Sequence, residues 1–265
     1  MKKFMRSTQN WLWVIVVTCF ALSCSSDKDE DTEQAVLSQA EIEQILDTDE
    51  LSGVADGIVT DLFMNSSNGL TNRTETDCFT ADYQETGFTV TFDGCTVEGI
   101  ENVSGTLAVT YMSDENNLSF TITFTDFMVE GVQLNGTRSF SFNGLVEDSA
   151  FGFTVSSDMS LVLEDGSVIT ETGNKTFGFI FGDTLEDSLL TIDGNWTVGL
   201  GNDTYAVAVS TTLEGNLSCE HLVAGLMQIG KNGLAVSVDF GDGTCDDIAT
   251  IIYPDGTRED FSLAD

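Results

Sequence analysis

Only nine of the 265 residues are Lys or Arg, against 44 acidic ones, and the chain holds one histidine and one proline. The resulting net charge of -35 repels phosphate backbones, which excludes nucleic acid as a partner. It opposes unaided adhesion to anionic lipid in the same way. With His221 the only histidine, any Ser-His or Cys-His nucleophile would have to use it, yet no serine sits in a G-x-S-x-G turn. H-E-x-x-H, P-loop and C-x-x-C patterns are missing as well. These absences leave no catalytic residue and no cofactor to assign. The apolar run from Trp11 to Leu22 spans 12 residues, well short of the roughly 20 that a transmembrane helix needs. A lone proline (Pro254) beside 25 glycines, in a chain rich in Thr, Ser, Val and Phe, favours strands joined by glycine turns over helices.

What is present begins with an address. Lys2, Lys3 and Arg6 precede the apolar run, the layout of an export signal that is removed. The run ends in Ala21-Leu22-Ser23-Cys24, which resembles a bacterial lipobox; the resemblance implies cleavage after residue 23 and acylation of Cys24. Two or more acyl chains anchor stably. Ser25 to Asp31 follow at once, and their core Lys28-Asp29-Glu30 resembles the surface-export signal of Bacteroidetes lipoproteins. The expected location is the outer membrane, lipid-anchored and facing the cell exterior. Residues 24–35 then read as anchor and acidic tether.

Residues 36–67 read as a helical segment. Ser38 and Glu41 form a capping box, and Ile42, Ile45 and Leu46 share one face. Thr48 or Asp49 is placed to cap a second piece carrying Leu51, Val54, Ile58, Leu62 and Phe63, which Asn68-Gly69 ends. From there the period changes to two. Phe88, Val90 and Phe92 lie on one face with Thr89 and Thr91 on the other. Phe120, Ile122 and Phe124 repeat the alternation, as do Phe177, Phe179 and Phe181, and Val236, Val238 and Phe240. The pairs Asp93-Gly94, Asn135-Gly136, Asn143-Gly144, Asp165-Gly166, Asp193-Gly194 and Asn232-Gly233 read as turns, with Tyr253 to Thr257 as another. The fold expected for residues 68–265 is mainly β, with about ten to twelve strands. It is an antiparallel meander forming a sandwich or partly closed barrel behind the short helical segment.

Four cysteines remain after Cys19 leaves with the signal and Cys24 takes lipid: Cys78, Cys95, Cys219 and Cys245, an even number in an exported chain. Hairpin symmetry selects a pairing. The midpoint of Cys78 and Cys95 falls between Thr86 and Gly87, in an apparent turn, and that of Cys219 and Cys245 falls on Asn232, inside Lys231-Asn232-Gly233. Directly opposed strand residues lie within the reach of a disulfide, so Cys78–Cys95 and Cys219–Cys245 are expected. The closing segment from Cys219 to Leu263 carries D-F-G-D-G-T-C-D. It resembles a C-terminal pattern of uncharacterised Bacteroidetes surface lipoproteins, which implies the β-fold and no activity.

Asp239, Asp242, Asp246 and Asp247 offer oxygens to calcium but lack EF-hand spacing; a strand-end turn closed by Cys245 is the simpler reading. The triplets Asp148 to Ala150, Asp183 to Leu185 and Asp187 to Leu189 resemble Bacteroidetes O-glycosylation sites. Together these features describe a non-enzymatic surface lipoprotein with a binding or structural role, its partners the outer membrane and a glycan or envelope protein. Two alternatives stay open. One is a carrier holding a lipid or other apolar ligand on its phenylalanine-rich face. The other is a secreted carboxylate-dependent hydrolase.

Overall fold

The computed structural model describes residues 37–48, 78–97, 100–114, 117–145, 150–184 and 186–264. The expected signal peptide, Cys24, the export signal Lys28, Asp29 and Glu30, the tether and the second helical piece with Leu51 to Phe63 all lie outside them. Helix α1 covers residues 39–48. Thirteen strands follow: β1 (Phe79–Gln84), β2 (Gly87–Val97), β3 (Ile100–Asp114), β4 (Asn117–Val129), β5 (Val132–Leu145), β6 (Ala150–Val162), β7 (Val168–Ile180), β8 (Leu189–Leu200), β9 (Asp203–Asn216), β10 (Leu222–Lys231), β11 (Leu234–Asp242), β12 (Ile248–Ile252) and β13 (Arg258–Ser262). They form one antiparallel sheet in strict chain order, a meander that does not close.

The alternation read from the sequence sets the two faces. Phe88, Val90, Phe92, Leu107, Val109, Ile122 and Phe124 are buried on one side, in a single core that runs on to Phe261. Threonine and serine ladders occupy the other side, with hydroxyl contacts at Thr91–Thr106 (3.2 Å), Thr121–Ser139 (2.8 Å) and Thr154–Thr176 (3.1 Å). A flat sheet of this size would be on the order of 60 Å wide at 4.7–4.9 Å per strand. Helix α1, about 15 Å long at 1.5 Å per residue, cannot cover such a face. The sheet therefore curls around its own apolar side, and Phe140 of β5 and Phe261 of β13 border the same cavity.

The curl explains where the turn prediction fails. Of the six Asx-Gly pairs, only Asp165-Gly166 and Asn232-Gly233 lie in turns. Asp93-Gly94 and Asp193-Gly194 fall where β2 and β8 shift register against their neighbours, and Asn143-Gly144 falls where β5 shifts against β6. Asn135-Gly136 lies opposite a shift in β4, where the Asn135 side-chain oxygen accepts a hydrogen bond from the Asp126 backbone N–H at 2.9 Å. A residue pair that tolerates positive φ serves a bulge as readily as a two-residue turn. Bulges bend long strands and tighten their twist, and the described residues make thirteen strands, many of them long, where about ten to twelve were expected.

Both disulfides form as expected, with Cα atoms 5.2 Å apart for Cys78–Cys95 and 5.8 Å for Cys219–Cys245. Their setting differs from a simple cross-strand pair. The β1–β2 ladder turns between Glu85 and Thr86, one step earlier than expected, so Cys78 accepts its backbone bond from Asp93 (2.7 Å). The bulge at Asp93-Gly94 then returns Cys95 to Cys78. In the second case Asn232-Gly233 is a two-residue turn with Lys231 facing Leu234. Both residues have positive φ (54° and 85°), as a type I′ turn requires. Cys219 and Cys245 lie beyond the ladder, joining the β9–β10 connection to the β11–β12 connection.

The capping box forms. Ser38 N–H donates to Glu41 Oε2 (2.9 Å), and Glu41 N–H donates to Ser38 Oγ (3.3 Å). Thr48 starts no second helix within the described residues; it is the last residue of α1 and donates its hydroxyl back to the Gln44 carbonyl at 2.8 Å. Leu37, Ile42 and Ile45 are buried, which seats the helix on the inner face. Its polar side is tied down through Glu41 Oε1, which accepts from Tyr205 Oη (2.6 Å) and Lys231 Nζ (2.7 Å). Lys231 also reaches Asp203 at 2.8 Å. The Lys231 ammonium, the Ser38 N–H and the Tyr205 hydroxyl hold the Glu41 carboxyl at a pKa of about 2, below its ordinary 4.5. A carboxylate whose pKa falls on folding stabilises the fold above its unfolded value and stops doing so as pH drops through the folded one. The difference in urea stability between the wild type and Glu41→Gln is therefore expected to be about 1 kcal/mol above pH 5. It should shrink between pH 4.5 and 2; a difference independent of pH in that window would refute the assignment.

Candidate functional site

The inner face of the curled sheet holds a cavity of about 800 Å³. Its wall is mostly apolar. Phe140, Phe153, Phe177 and Phe179 come from β5, β6 and β7, and Leu190, Ile192, Leu213, Met227, Phe240 and Phe261 continue it across the later strands. The rings stack in register: Phe120 on Phe140 with centroids 4.7 Å apart, Phe153 on Phe177 at 5.2 Å and Phe151 on Phe179 at 4.8 Å. Helix α1 contributes Glu43, Leu46 and Asp47, while Glu220, His221 and Leu222 come from the connection into β10 and the start of that strand.

A buried polar cluster interrupts this apolar wall. Among the described residues the buried charged side chains are Arg138, Glu171 and Lys175, at 3%, 0% and 6% exposure. Strand register places them together. Arg138 faces Ser157, Ser157 faces Gly173, and Gly173 faces Trp196. Glu171 and Lys175 lie two residues to either side of Gly173 and so point to the same face. Lys175 Nζ meets Glu171 Oε2 at 3.1 Å and lies 4.5 Å from the centre of the Trp196 ring.

Gly173 is what allows the cluster to close. Its φ is 147°, and a Cβ there would come within 2.4 Å of Trp196 Cα. A side chain would push β8 away and remove the space between Glu171 and Lys175. Burial raises the Glu171 carboxyl pKa, but the charges of Lys175 and Arg138 outweigh it and hold the group below its usual range. It therefore stays ionised. Arg138, Lys175 and Trp196 line the cavity. Trp196 Nε1 is buried without a hydrogen-bond partner among the described residues, an omission that costs about 1–3 kcal/mol.

Of the residues singled out from the sequence, Phe177, Phe179 and Phe240 of the phenylalanine-rich face line the cavity, while the polar candidates fall elsewhere with one exception. His221 borders the cavity. The four aspartates of the calcium candidate each turn to a separate partner. Asp239 pairs with Arg258 at 3.1 Å. Asp242 accepts from the Thr244 hydroxyl at 2.8 Å, which with the Thr244 N–H holds its carboxyl below the usual range. Asp246 accepts from the Ile248 N–H (3.0 Å) and Asp247 from the Ser262 hydroxyl (2.8 Å). Among the described residues no group of three or more metal-ligating side chains forms, and each of these acids is engaged at the strand end by its own partner. Phe240 points into the core and the strand bends at Gly241 and Gly243 (φ 100° and 101°). Ser188 of the third glycosylation triplet is buried and donates to the Thr184 carbonyl at 2.7 Å, so its hydroxyl is not presented to a glycosyl donor. Residues 146–149 and Leu185, which belong to the other two triplets or adjoin them, lie outside the described residues.

Sequence reasoning missed Arg138, Glu171, Lys175 and Trp196. The signal was available. Arg138 keeps step with Phe140 and Phe142, and Glu171 and Lys175 keep step with Phe177 and Phe179. Charged residues at core-facing positions of an alternating strand mark a buried polar site.

The geometry defines an open antiparallel meander wrapped around an apolar cavity with a charged patch in its wall. No family model, curated protein or solved structure matches this chain.

Proposed function

We propose that this chain is a lipid-anchored outer-membrane protein, exposed at the cell surface, that holds an apolar ligand inside its curled sheet and performs no catalysis. The cavity carries this reading. Its volume of about 800 Å³ falls in the range of small-molecule sites, about 300–1,000 Å³, and its walls are mostly aromatic and aliphatic, with a small charged patch. A β face that served only as a core would be filled. The lipobox-like Cys24 and the acidic run behind it support attachment to the membrane, and the outward-facing ladders of threonine and serine suit a surface in water.

Native mass spectrometry of the full chain, purified from membranes, tests the ligand. A non-covalent adduct that leaves on collisional activation is expected, and Ile192→Trp, which fills the cavity, should abolish it. Retention of the same adduct by a folded Ile192→Trp protein would overturn the cavity as its site. Protease shaving of intact cells tests the location: a protected protein would refute surface exposure.

A further inference from the structure

We propose that the ligand of this cavity carries an oxygen acceptor at one end of an apolar chain, and that this oxygen accepts a hydrogen bond from the indole N–H of Trp196. The inference deepens the apolar-ligand reading and rests on it. Three observations carry it.

The first is the indole N–H itself. Trp196 is 4% exposed and borders the cavity. Its Nε1 has no hydrogen-bond partner among the described residues. Buried donors are nearly always paired, and an indole N–H can only donate, so the partner it lacks is an acceptor. The cations of the same wall, Arg138 and Lys175, do not supply one. A guanidinium and an ammonium carry donors alone, whatever else they meet.

The second is that the ring is held in place. Trp196 lies opposite Gly173, and the two strands approach so closely there that a Cβ on Gly173 would come within 2.4 Å of Trp196 Cα. The Lys175 ammonium stands over the ring, 4.5 Å from its centre. The donor is therefore presented by a packed wall rather than by a side chain free to turn toward a partner elsewhere.

The third is the order of residues along the wall. Phe179 faces Leu190 and Phe177 faces Ile192, and Trp196 lies farther along β8 on the same side. All five border the cavity. Past Trp196 the next inward-facing residue of β8, Val198, is buried in the core, while at the other end of the row Phe181 is half exposed. A ligand lying along the row meets rings and aliphatic groups over most of its length and a donor at its inner end. A pure hydrocarbon would leave the N–H unanswered. An amphiphile ending in a carboxylate, ester or hydroxyl oxygen answers it.

The test uses four photo-crosslinking probes of equal chain length, each with a diazirine at the tail. They are hexadecanoic acid, its methyl ester, hexadecanol and hexadecane, and they are applied to membranes containing the full chain. Roughly fivefold more labelling by at least one oxygen-bearing probe than by the hydrocarbon is expected. The leading oxygen probe distinguishes a free acid, an esterified lipid and an alcohol as the source. Trp196→Phe keeps an aromatic wall and removes the N–H, and should bring the two kinds of probe to within about twofold of each other. A melting curve confirms that the variant folds.

A second readout needs no variant. Trp11 and Trp13 fall in the expected signal peptide, so the processed chain, labelled with nitrogen-15 tryptophan in lipid nanodiscs, should show a single indole N–H resonance. That resonance should move downfield with the leading oxygen probe and not with hexadecane. Equal labelling by the hydrocarbon and every oxygen probe in the wild type overturns the acceptor while leaving the apolar-ligand reading standing. Labelling by none of the probes overturns both. A preference kept in full by folded Trp196→Phe, or an indole resonance that the oxygen probe moves no further than the hydrocarbon does, overturns Trp196 as the donor.

Discussion

Glu171→Gln is expected to lower the stability of the folded chain by about 3–5 kcal/mol, the cost of leaving a buried charge without its partner, and Lys175→Met is expected to cost less. The asymmetry follows from the number of cations that Glu171 meets. Among the described residues Glu171 is the one buried anion, with Lys175 Nζ 3.1 Å from its oxygen and Arg138 contributing to its ionisation. Neutralising it takes the carboxylate away from both Lys175 and Arg138. Removing Lys175 instead leaves Glu171 the charge of Arg138. Denaturation in urea for the two variants, at equal pH and ionic strength, gives the comparison. The loss for Glu171→Gln should also change little with added salt, because the charges are shielded from solvent and screening acts weakly on buried pairs. A Lys175→Met protein less stable than Glu171→Gln would mean that Arg138 does not share the carboxylate.

Replacing Cys219 and Cys245 together by alanine is expected to cost about 3.5 kcal/mol, and replacing Cys78 and Cys95 about 3 kcal/mol, from the loop entropy each bridge removes from the unfolded chain. The bridges close sequence separations of 26 and 17 residues, and the longer loop gives the larger effect. For a chain of this size the first change lowers the melting temperature by roughly 10 °C. It should also loosen one side of the cavity. Glu220, His221 and Leu222 follow Cys219 directly and border the space, while Cys245 follows β11, which supplies Phe240. Melting curves of the double-alanine proteins, with peptide mapping of the wild type without reduction, check both the pairing and its worth. An unchanged melting temperature, with the bond shown to be present in the wild type, would remove the bridge from the account of stability.

The β architecture could be read from the sequence because alternation is a local property: Phe88-Thr89-Val90-Thr91-Phe92 declares a half-buried strand whatever surrounds it. The capping box of α1 was legible for the same reason, since Ser38 and Glu41 satisfy each other within one turn. Register was less accessible. A slip of one residue in a turn, or one bulge, changes which residues face each other, and neither is written in composition. The pairing of Cys78 with Cys95 came from a turn placed one step too late and a bulge not foreseen, two displacements that offset one another. Asp93-Gly94 and Asp193-Gly194 look like hairpin tips because the backbone conformation they permit is common to tips and bulges; only a long-range feature, the curl of the whole sheet, decides between them. The buried cluster escaped because its residues come from three strands, β5, β7 and β8, brought together through β6. Arg138, Glu171, Lys175 and Trp196 are spread along the chain, and only the ladders β5–β6, β6–β7 and β7–β8 bring them to one spot.

The single carboxylate of Glu41 has a further consequence. One oxygen finishes the first turn of α1 and the other fastens that turn to Tyr205 and Lys231. Detachment from the sheet therefore removes a contact that also helps the helix exist. A ten-residue helix has little persistence alone in water, because nucleation is costly and few bonds follow it. The element over the cavity is thus a cooperative latch rather than a swinging door: it is either seated and wound or released and melted. Acid that protonates this one side chain therefore loosens the helix end and its attachment to the sheet together.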